Sequence, residues 1–214
     1  MSDRRRFLIQ GGLATTAMLA AKPVNAVTQL STWFPSLLGK GNAILLLHTN
    51  IDIKGKDHFS GIIHKIQNSE RNAFWVDASM LEDQPYKIVK KGNVQIGLIG
   101  VGKSLKNLGK VSSLATKLKM ENNCHLVVCL SGLGYKGKKK DEDLKLAKLS
   151  ENVDVILGGF HNNSIKKQNI VLNRNKSEVI INHSAHGSLA ISGIKIGFDN
   201  NGRKNHIEFN NRLS

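Results

Sequence analysis

Residues 153–163 read VDVILGGFHNN, a short apolar run that ends in a Gly-Gly turn and polar residues. A run of this length with glycine at its end predicts a buried β-strand at 153–157. Four earlier runs have the same form, at residues 43–48, 73–77, 94–101 and 125–130. Helical patterns at 59–66, 111–120 and 141–149 lie between the runs. This alternation of strands and helices predicts an α/β sheet.

The pattern changes after residue 169, where short apolar runs follow one another without helices between them. The runs cover 170–172, 179–182, 191–198 and 206–209, and turn residues fill 173–176 and 199–202. Short strands separated by such turns predict an antiparallel meander. Because chemistry in α/β sheets collects beyond the carboxyl ends of the strands, a site is expected at those ends.

The amino terminus is predicted to be a leader segment and not part of the fold. Arg4, Arg5, Phe7 and Leu8 precede an apolar stretch, and a small-x-small cleavage site ends at Ala26. The pattern resembles a twin-arginine export signal, which predicts a mature single domain of residues 27–214 in the periplasm or elsewhere outside the cytoplasm. The apolar stretch is shorter than the ~20 residues that span a bilayer. An uncleaved membrane anchor stays open as the alternative.

The chain is strongly basic, with a formal net charge of +15. Residues 1–26 contain four basic side chains and one acidic one, so about +12 remains on the predicted mature domain. This charge is consistent with a solvated lysine-rich surface, or with binding to a polyanion or an anionic membrane surface. Aromatic residues make up only 5% of the chain, so a stacking platform for specific nucleic-acid binding is not expected.

Two further patterns are predicted to carry no chemistry. Cys124 and Cys129 flank an apolar run and are too far apart along a strand for a disulfide, so both are expected to be reduced packing residues. Residues 97–104 read GLIGVGKS and match the letters of a phosphate-binding loop. Since Gly97 lies inside a predicted strand and does not follow one, a nucleotide loop is not expected there.

Five segments at the predicted strand ends carry a family resemblance: LLLHTN at 45–50, DASM at 77–80, LSGLGY at 130–135, GGFHNN at 158–163 and NHSAHG at 182–187. Their order and spacing resemble the bacterial 5'-nucleotidase branch of the calcineurin-like metallophosphoesterases. The resemblance covers residues 43–198 and implies a shortened αββα sandwich with mixed sheets. It also implies the activity of the family, in which hydroxide bound to two divalent metal ions attacks a phosphate ester.

The first motifs of that family are altered in this chain. Asp52 matches the aspartate of the first motif with one inserted residue, but Lys54 stands where the motif has a histidine. Met80 replaces the aspartate that bridges the two ions in the family. The block that supplies an Asn-His pair is missing between residues 83 and 84.

The later motifs are altered as well. Gly132 replaces a histidine, and Phe160 and Asn162 occupy the two ligand positions of the last motif, with His161 between them. We therefore expect no bound cofactor where the family holds two divalent ions. Asp52, His161 and Asn162, together with His183, are the candidates for a weak single-metal site, and ordinary polar residues at strand ends are the competing interpretation.

The sequence thus predicts an exported, degenerate metallophosphoesterase domain that acts as a non-catalytic binding or structural protein, a pseudoenzyme. The alternatives are a weak metal-dependent 5'-nucleotidase and a basic envelope protein that binds polyanions. The sequence names neither a ligand nor a partner.

Overall fold

The computed structural model of the chain describes residues 43–48, 73–76, 78–81, 84–102, 108–133, 135–136, 140–159, 168–184 and 190–213. The strands are β1 (Ala43–His48), β2 (Ala73–Trp75), β3 (Tyr86–Lys91), β4 (Val94–Val101), β5 (Leu126–Ser131), β6 (Tyr135–Lys136), β7 (Lys140–Asp141), β8 (Val155–Gly159), β9 (Gln168–Leu172), β10 (Glu178–Ser184), β11 (Ala190–Phe198) and β12 (Lys204–Leu213). The described helices are α1 (Leu108–Met120) and α2 (Glu142–Leu149), with a 3-10 helix at Ala78–Leu81.

The long strands form two mixed sheets. The first sheet has the order β12-β11-β1-β2, with β1 parallel to β2 and antiparallel to β11. The second sheet has the order β3-β4-β5-β8-β10-β9. Its four central strands run parallel, and the antiparallel strands β3 and β9 form its edges. Because the central strands are parallel, their carboxyl ends meet along one edge of the sheet.

Two hydrophobic clusters hold the layers together. The first cluster lies between the sheets and joins residues such as Ile44 and Ile194 to Leu98 of the second sheet. The second cluster lies on the opposite face of the second sheet and includes Ile99 of β4, Leu118 of α1 and Leu146 of α2. Successive side chains of a strand face opposite sides, so each central strand contributes to both clusters.

The described layers are therefore sheet, sheet and helix, which is an α/β fold with two mixed sheets, as expected for a shortened metallophosphoesterase sandwich. The helix predicted at 59–66 lies outside the described residues. So do the leader residues Arg4, Arg5, Phe7, Leu8 and Ala26. Among the described helices, none is long and apolar enough to cross a membrane.

An ion cluster lies at the amino ends of the central strands. The Asp154 carboxylate lies 2.7 Å from Lys119 Nζ and 2.8 Å from Lys204 Nζ, and it accepts a hydrogen bond from the Val127 backbone N–H. Burial alone would raise the pKa of Asp154, but the charges of Lys204 and Lys119 outweigh burial and hold the pKa below its ordinary value. Since Lys119 belongs to α1 and Lys204 to β12, the cluster ties the helix and the first sheet to the second sheet.

The predicted carboxyl-terminal meander is wrong in its pairing. β9 pairs with β10 in the second sheet, whereas β11 pairs with β12 in the first. The reason is that β10 also pairs in parallel with β8 and β11 pairs with β1, so the chain changes sheets between β10 and β11. Alternating apolar patterns are the same in either sheet and do not specify this crossing.

The cysteines and Gly97 lie where the sequence predicts them. Cys124 and Cys129 are both free and buried, and burial raises the pKa of each thiol, which keeps them protonated. Gly97 lies inside β4, where its position faces the Leu118 side chain, and the next helix among the described residues begins at Leu108. A phosphate-binding loop needs its first glycine after the strand, so Gly97 is not placed as that motif requires.

Candidate site at the carboxyl ends of the strands

The carboxyl ends of the central strands form a row of paired residues. Val101 of β4 pairs with Ser131 of β5, Ser131 pairs with Gly158 of β8, and Gly158 pairs with His183 of β10. In an open α/β sheet this edge is where ligands and reacting groups collect. The row is therefore the place to look for a functional site.

Three polar side chains of this row and its neighbourhood form a buried network. Asp143, in the first turn of α2, accepts a hydrogen bond from Ser131 Oγ through Oδ1. Its other oxygen, Oδ2, lies 2.7 Å from His183 Nε2. All three residues are at most 1% exposed, so the network is closed to solvent. The Leu133 backbone N–H also donates to Ser131 Oγ at 3.2 Å.

Gly158 lets the network close. A Cβ atom at this position would lie 2.6 Å from Asp143 Oδ2 and 2.6 Å from His183 Cδ2. Contacts below 3.0 Å are closer than real Cβ atoms approach, so any larger residue would displace the carboxylate or the ring. The two glycines were expected to form a turn, but they end β8, where the first of them, Gly158, has a packing role.

The order of the groups decides what this network can do chemically. A serine nucleophile needs a histidine between itself and the acid, so that the ring can remove the hydroxyl proton. Here the Asp143 carboxylate lies between Ser131 and His183, and each of its oxygens is already bonded. The network therefore links β5, α2 and β10 and does not activate a nucleophile.

Sequence reasoning missed this network because its members are far apart in the chain. Asp143 is 12 residues from Ser131 and 40 residues from His183. One signal was available: an acidic residue in the first turn of a predicted helix favours the helix terminus and faces the neighbouring strand ends. That signal does not identify the partners.

Two of the altered ligand positions lie within the described residues. Met80, in the 3-10 helix, is partly buried and packs against the hydrophobic cluster between the sheets. Gly132 follows β5, and its Cβ position would lie 3.3 Å from the Val101 carbonyl oxygen. A thioether is a soft, weak donor and glycine offers no side-chain donor, whereas hard divalent ions take oxygen and imidazole ligands. The residues present at these two positions do not fit a binuclear centre.

The sequence groups four candidate ligands in one site, and the structure describes only one of them, His183. Asp52, His161 and Asn162 lie outside the described residues. His183, grouped with them from the sequence, directs Nε2 to Asp143 on the helix side of the sheet, so that nitrogen is not available to a metal. His48 and Asn182 are fully buried, and by strand alternation they face the space between the sheets. In the part of the chain that the structure describes, no three His, Cys, Asp or Glu side chains form a potential metal site.

Comparison with known proteins gives the fold. No family model matches the sequence, and a search of curated proteins gives no significant match. A 5'-nucleotidase precursor from Thermus thermophilus aligns with a TM-score of 0.56 at 16% identity, over 80% of this chain and 54% of that protein. The chain has the metallophosphoesterase fold of the 5'-nucleotidases.

Two further structures are similar to parts of this chain. The NAD nucleotidase of Haemophilus influenzae aligns with a TM-score of 0.47 at 16% identity, over 64% of this chain and 32% of its own. The sulfate thiohydrolase SoxB of Thermus thermophilus aligns with a TM-score of 0.38 at 14% identity, over 72% and 30%. The chain thus spans about half the length of the Thermus 5'-nucleotidase precursor. It spans about a third of the length of the other two proteins.

Proposed function

We propose that this chain is a non-catalytic member of the metallophosphoesterase superfamily that acts as a binding or structural protein. The observation that carries the proposal is Met80, which packs against the core between the sheets where the resemblance expects the carboxylate that bridges two metal ions. Catalysis with two metals needs the ions about 3.5–4 Å apart, and a carboxylate that binds both ions keeps them at this distance. Methionine cannot replace it.

Two other features support the proposal. Gly132 has no side chain to replace the lost histidine, and its neighbours Ser131 and Leu133 take part in the buried network around Asp143. The missing block between residues 83 and 84 would have supplied the amide and the histidine that assists the leaving group. Each loss lowers metal affinity, and together they remove ligands from both metal positions.

Phosphoester hydrolysis is the activity to test. The purified chain is assayed with p-nitrophenyl phosphate and with a 5'-nucleotide in manganese, zinc or cobalt, against Asp52→Ala protein and metal alone. We expect both proteins to match the metal blank. Metal-dependent turnover that disappears in Asp52→Ala would overturn the proposal and favour a weak 5'-nucleotidase.

We also propose that the protein is exported through the twin-arginine route. The support is the leader pattern at Arg4, Arg5, Phe7 and Leu8 with a cleavage site at Ala26. Export is tested by fractionating cells that express the full chain and sequencing the amino terminus. Mature protein in the periplasm that begins at residue 27 is expected, and Arg4→Lys with Arg5→Lys should hold it in the cytoplasm. Full-length protein in the membrane fraction would instead identify an uncleaved anchor.

A further inference from the structure

One flank of the molecule combines positive charge with exposed apolar surface. It consists of Ile88 and Lys90 on the edge strand β3 and of Lys110 and Lys117 on α1, and we call these four residues the basic flank. All four side chains are exposed, Ile88 at 36% of its surface. The basic flank thus places an exposed isoleucine beside lysines of β3 and α1.

The four side chains lie on the same side of the second sheet. Ile88 pairs with Gly97, whose Cβ position would contact the Leu118 side chain of α1, so the pair faces the helix layer. Lys90, two residues further along β3, faces the same way. Lys117 Nζ lies 5.4 Å from the centroid of the Tyr86 ring, which places this side of α1 beside β3. Lys110 lies two helical turns earlier on the same side, about 10 Å away.

We propose that the basic flank binds an anionic membrane surface. Among the described residues, no carboxylate lies within ion-pair distance of Lys90, Lys110 or Lys117, so their ammonium groups are available to lipid phosphates. Glu121, exposed one turn beyond Lys117, offsets one of the three charges and leaves the flank positive. Protection of an edge strand against further pairing explains a lysine on β3, but it does not explain the lysines on α1.

Three features favour a bilayer over nucleic acid as the occupant. Ile88 and Met120, which is 69% exposed on α1, can enter the boundary between headgroups and acyl chains. The ring of Tyr86 is covered by Lys117 and so cannot stack on a base. Aromatic residues make up only 5% of the chain, so other rings on which bases could stack are few.

Binding is tested by flotation of the full chain with two kinds of vesicle. One is phosphatidylcholine alone, and the other contains about one third phosphatidylglycerol. We expect binding to the anionic vesicles only, weakening steeply as salt rises toward about 0.15 M. The triple variant Lys90→Gln, Lys110→Gln, Lys117→Gln should bind roughly a hundredfold more weakly, since each lysine near such a surface contributes roughly fivefold.

A matched control removes the same charge from other exposed positions, as Lys145→Gln, Lys148→Gln, Lys176→Gln. It should lose less than about fivefold, because only the general attraction is reduced. Equal losses in the two triple variants would overturn the proposal. Lys110→Gln alone, with an expected loss of roughly fivefold, keeps the test valid if the triple variant does not fold.

Ile88→Ser separates a membrane from a soluble polyanion. It should weaken binding to anionic vesicles and leave binding to heparin or duplex DNA unchanged, because only a bilayer accepts the apolar side chain. Tighter binding to heparin or DNA than to vesicles at the same salt, with no effect of Ile88→Ser, would contradict the proposal.

Discussion

Gly158 is the residue on which the buried contacts at the carboxyl edge of the second sheet depend. Gly158→Ala would place a methyl group within 2.6 Å of Asp143 Oδ2 and of the His183 ring. Both partners are buried and hydrogen-bonded, so neither can move aside freely. We expect Gly158→Ala to lower the free energy of unfolding by about 2–3 kcal/mol, measured by urea denaturation.

Gly109→Ala is the matched control for this substitution. Gly109 is exposed on α1, and a Cβ atom there meets nothing within 4 Å. Alanine also favours a helix over glycine, so this variant should be unchanged or more stable by up to about 1 kcal/mol. Equal stability of the two variants would show that the network around Gly158 is not closely packed.

Asp154 gives a prediction of pH dependence. Its pKa is held below the ordinary value by Lys204 and Lys119 despite burial, so the ionised carboxylate stabilises the fold. This stabilisation is complete above about pH 4, which is the pKa of an ordinary carboxyl group. It is lost as the pH falls through the lower pKa that Asp154 has in the folded state. Asp154→Asn should therefore be less stable by about 1–3 kcal/mol at neutral pH, and the difference should shrink below about pH 4.

The measurement is urea denaturation of both proteins at a series of pH values. Lys204→Gln is a useful companion, because Lys119 remains at 2.7 Å and the loss should be smaller. A difference between the wild type and Asp154→Asn that stays constant through the acid range would show that the carboxylate does not depend on its two lysines.

The state of a single residue could be predicted from the sequence where it depends on neighbouring residues. It was missed where it depends on a contact with a residue far along the chain. The reduced, buried state of Cys124 and Cys129 followed from strand geometry. The contact between Asp143 and His183 joins a helix to a strand 40 residues later, and no spacing rule specifies such a pair. For the same reason His183 was grouped with candidate ligands and not with its true partner.

At the scale of elements, the β11–β12 hairpin is fixed to the second sheet by its turn. Gly202 in that turn has a φ of +72°, and a Cβ atom there would lie 2.7 Å from His125 Cδ2. The His125 ring also accepts a hydrogen bond from the Gln95 backbone N–H, so it is held in place. The turn therefore requires glycine for both its backbone conformation and its close contact.

Gly202→Ala should lower the free energy of unfolding by about 1–3 kcal/mol. In a His125→Ala background the contact is absent and only the backbone strain remains, so the same change should cost less. A double-mutant cycle by urea denaturation measures this coupling. An equal cost in both backgrounds would mean that the turn does not pack on His125.

Most elements were predictable because their apolar periodicity is strong. The bounds of β1 and β4 are as predicted, and α1 begins only three residues before its predicted start. β3 was missed, since its lysines and the preceding proline read as a charged surface segment. Its pairing with β4 over six residues, and not its own pattern, makes it a strand. The sheet change between β10 and β11 was missed because it depends on β8 and β1.

For the whole molecule, the family resemblance leads us to expect a further block before residue 84, which raises the question of whether the core is complete without it. β3 pairs with β4 directly after this position, and the cluster between the sheets includes residues of both sheets and the 3-10 helix. We therefore expect one cooperative unfolding transition. In a Trp33→Phe variant, tryptophan fluorescence reports on the buried Trp75 alone, and its urea curve should coincide with that of far-ultraviolet circular dichroism. Separate transitions would show that the two sheets unfold independently.

The fold of the whole molecule could be predicted because five strand-end segments keep a recognisable order, even at an identity of 16% to the Thermus 5'-nucleotidase precursor. The candidate site was only partly predictable. Substitutions such as Met80 are visible in the sequence, but the side of the sheet on which each remaining polar group lies depends on tertiary packing. His183 illustrates this, since strand register and α2 together direct it away from the space between the sheets.

The metal content of the purified full chain tests the central claim most directly. Protein from cells grown with added manganese and zinc is separated from free ions by gel filtration and analysed by elemental mass spectrometry. Because Met80 and Gly132 stand at two positions where the family resemblance implies ligands, we expect well below one bound ion per chain. Two ions per chain, the complement of a two-metal site, would contradict the loss of the binuclear centre.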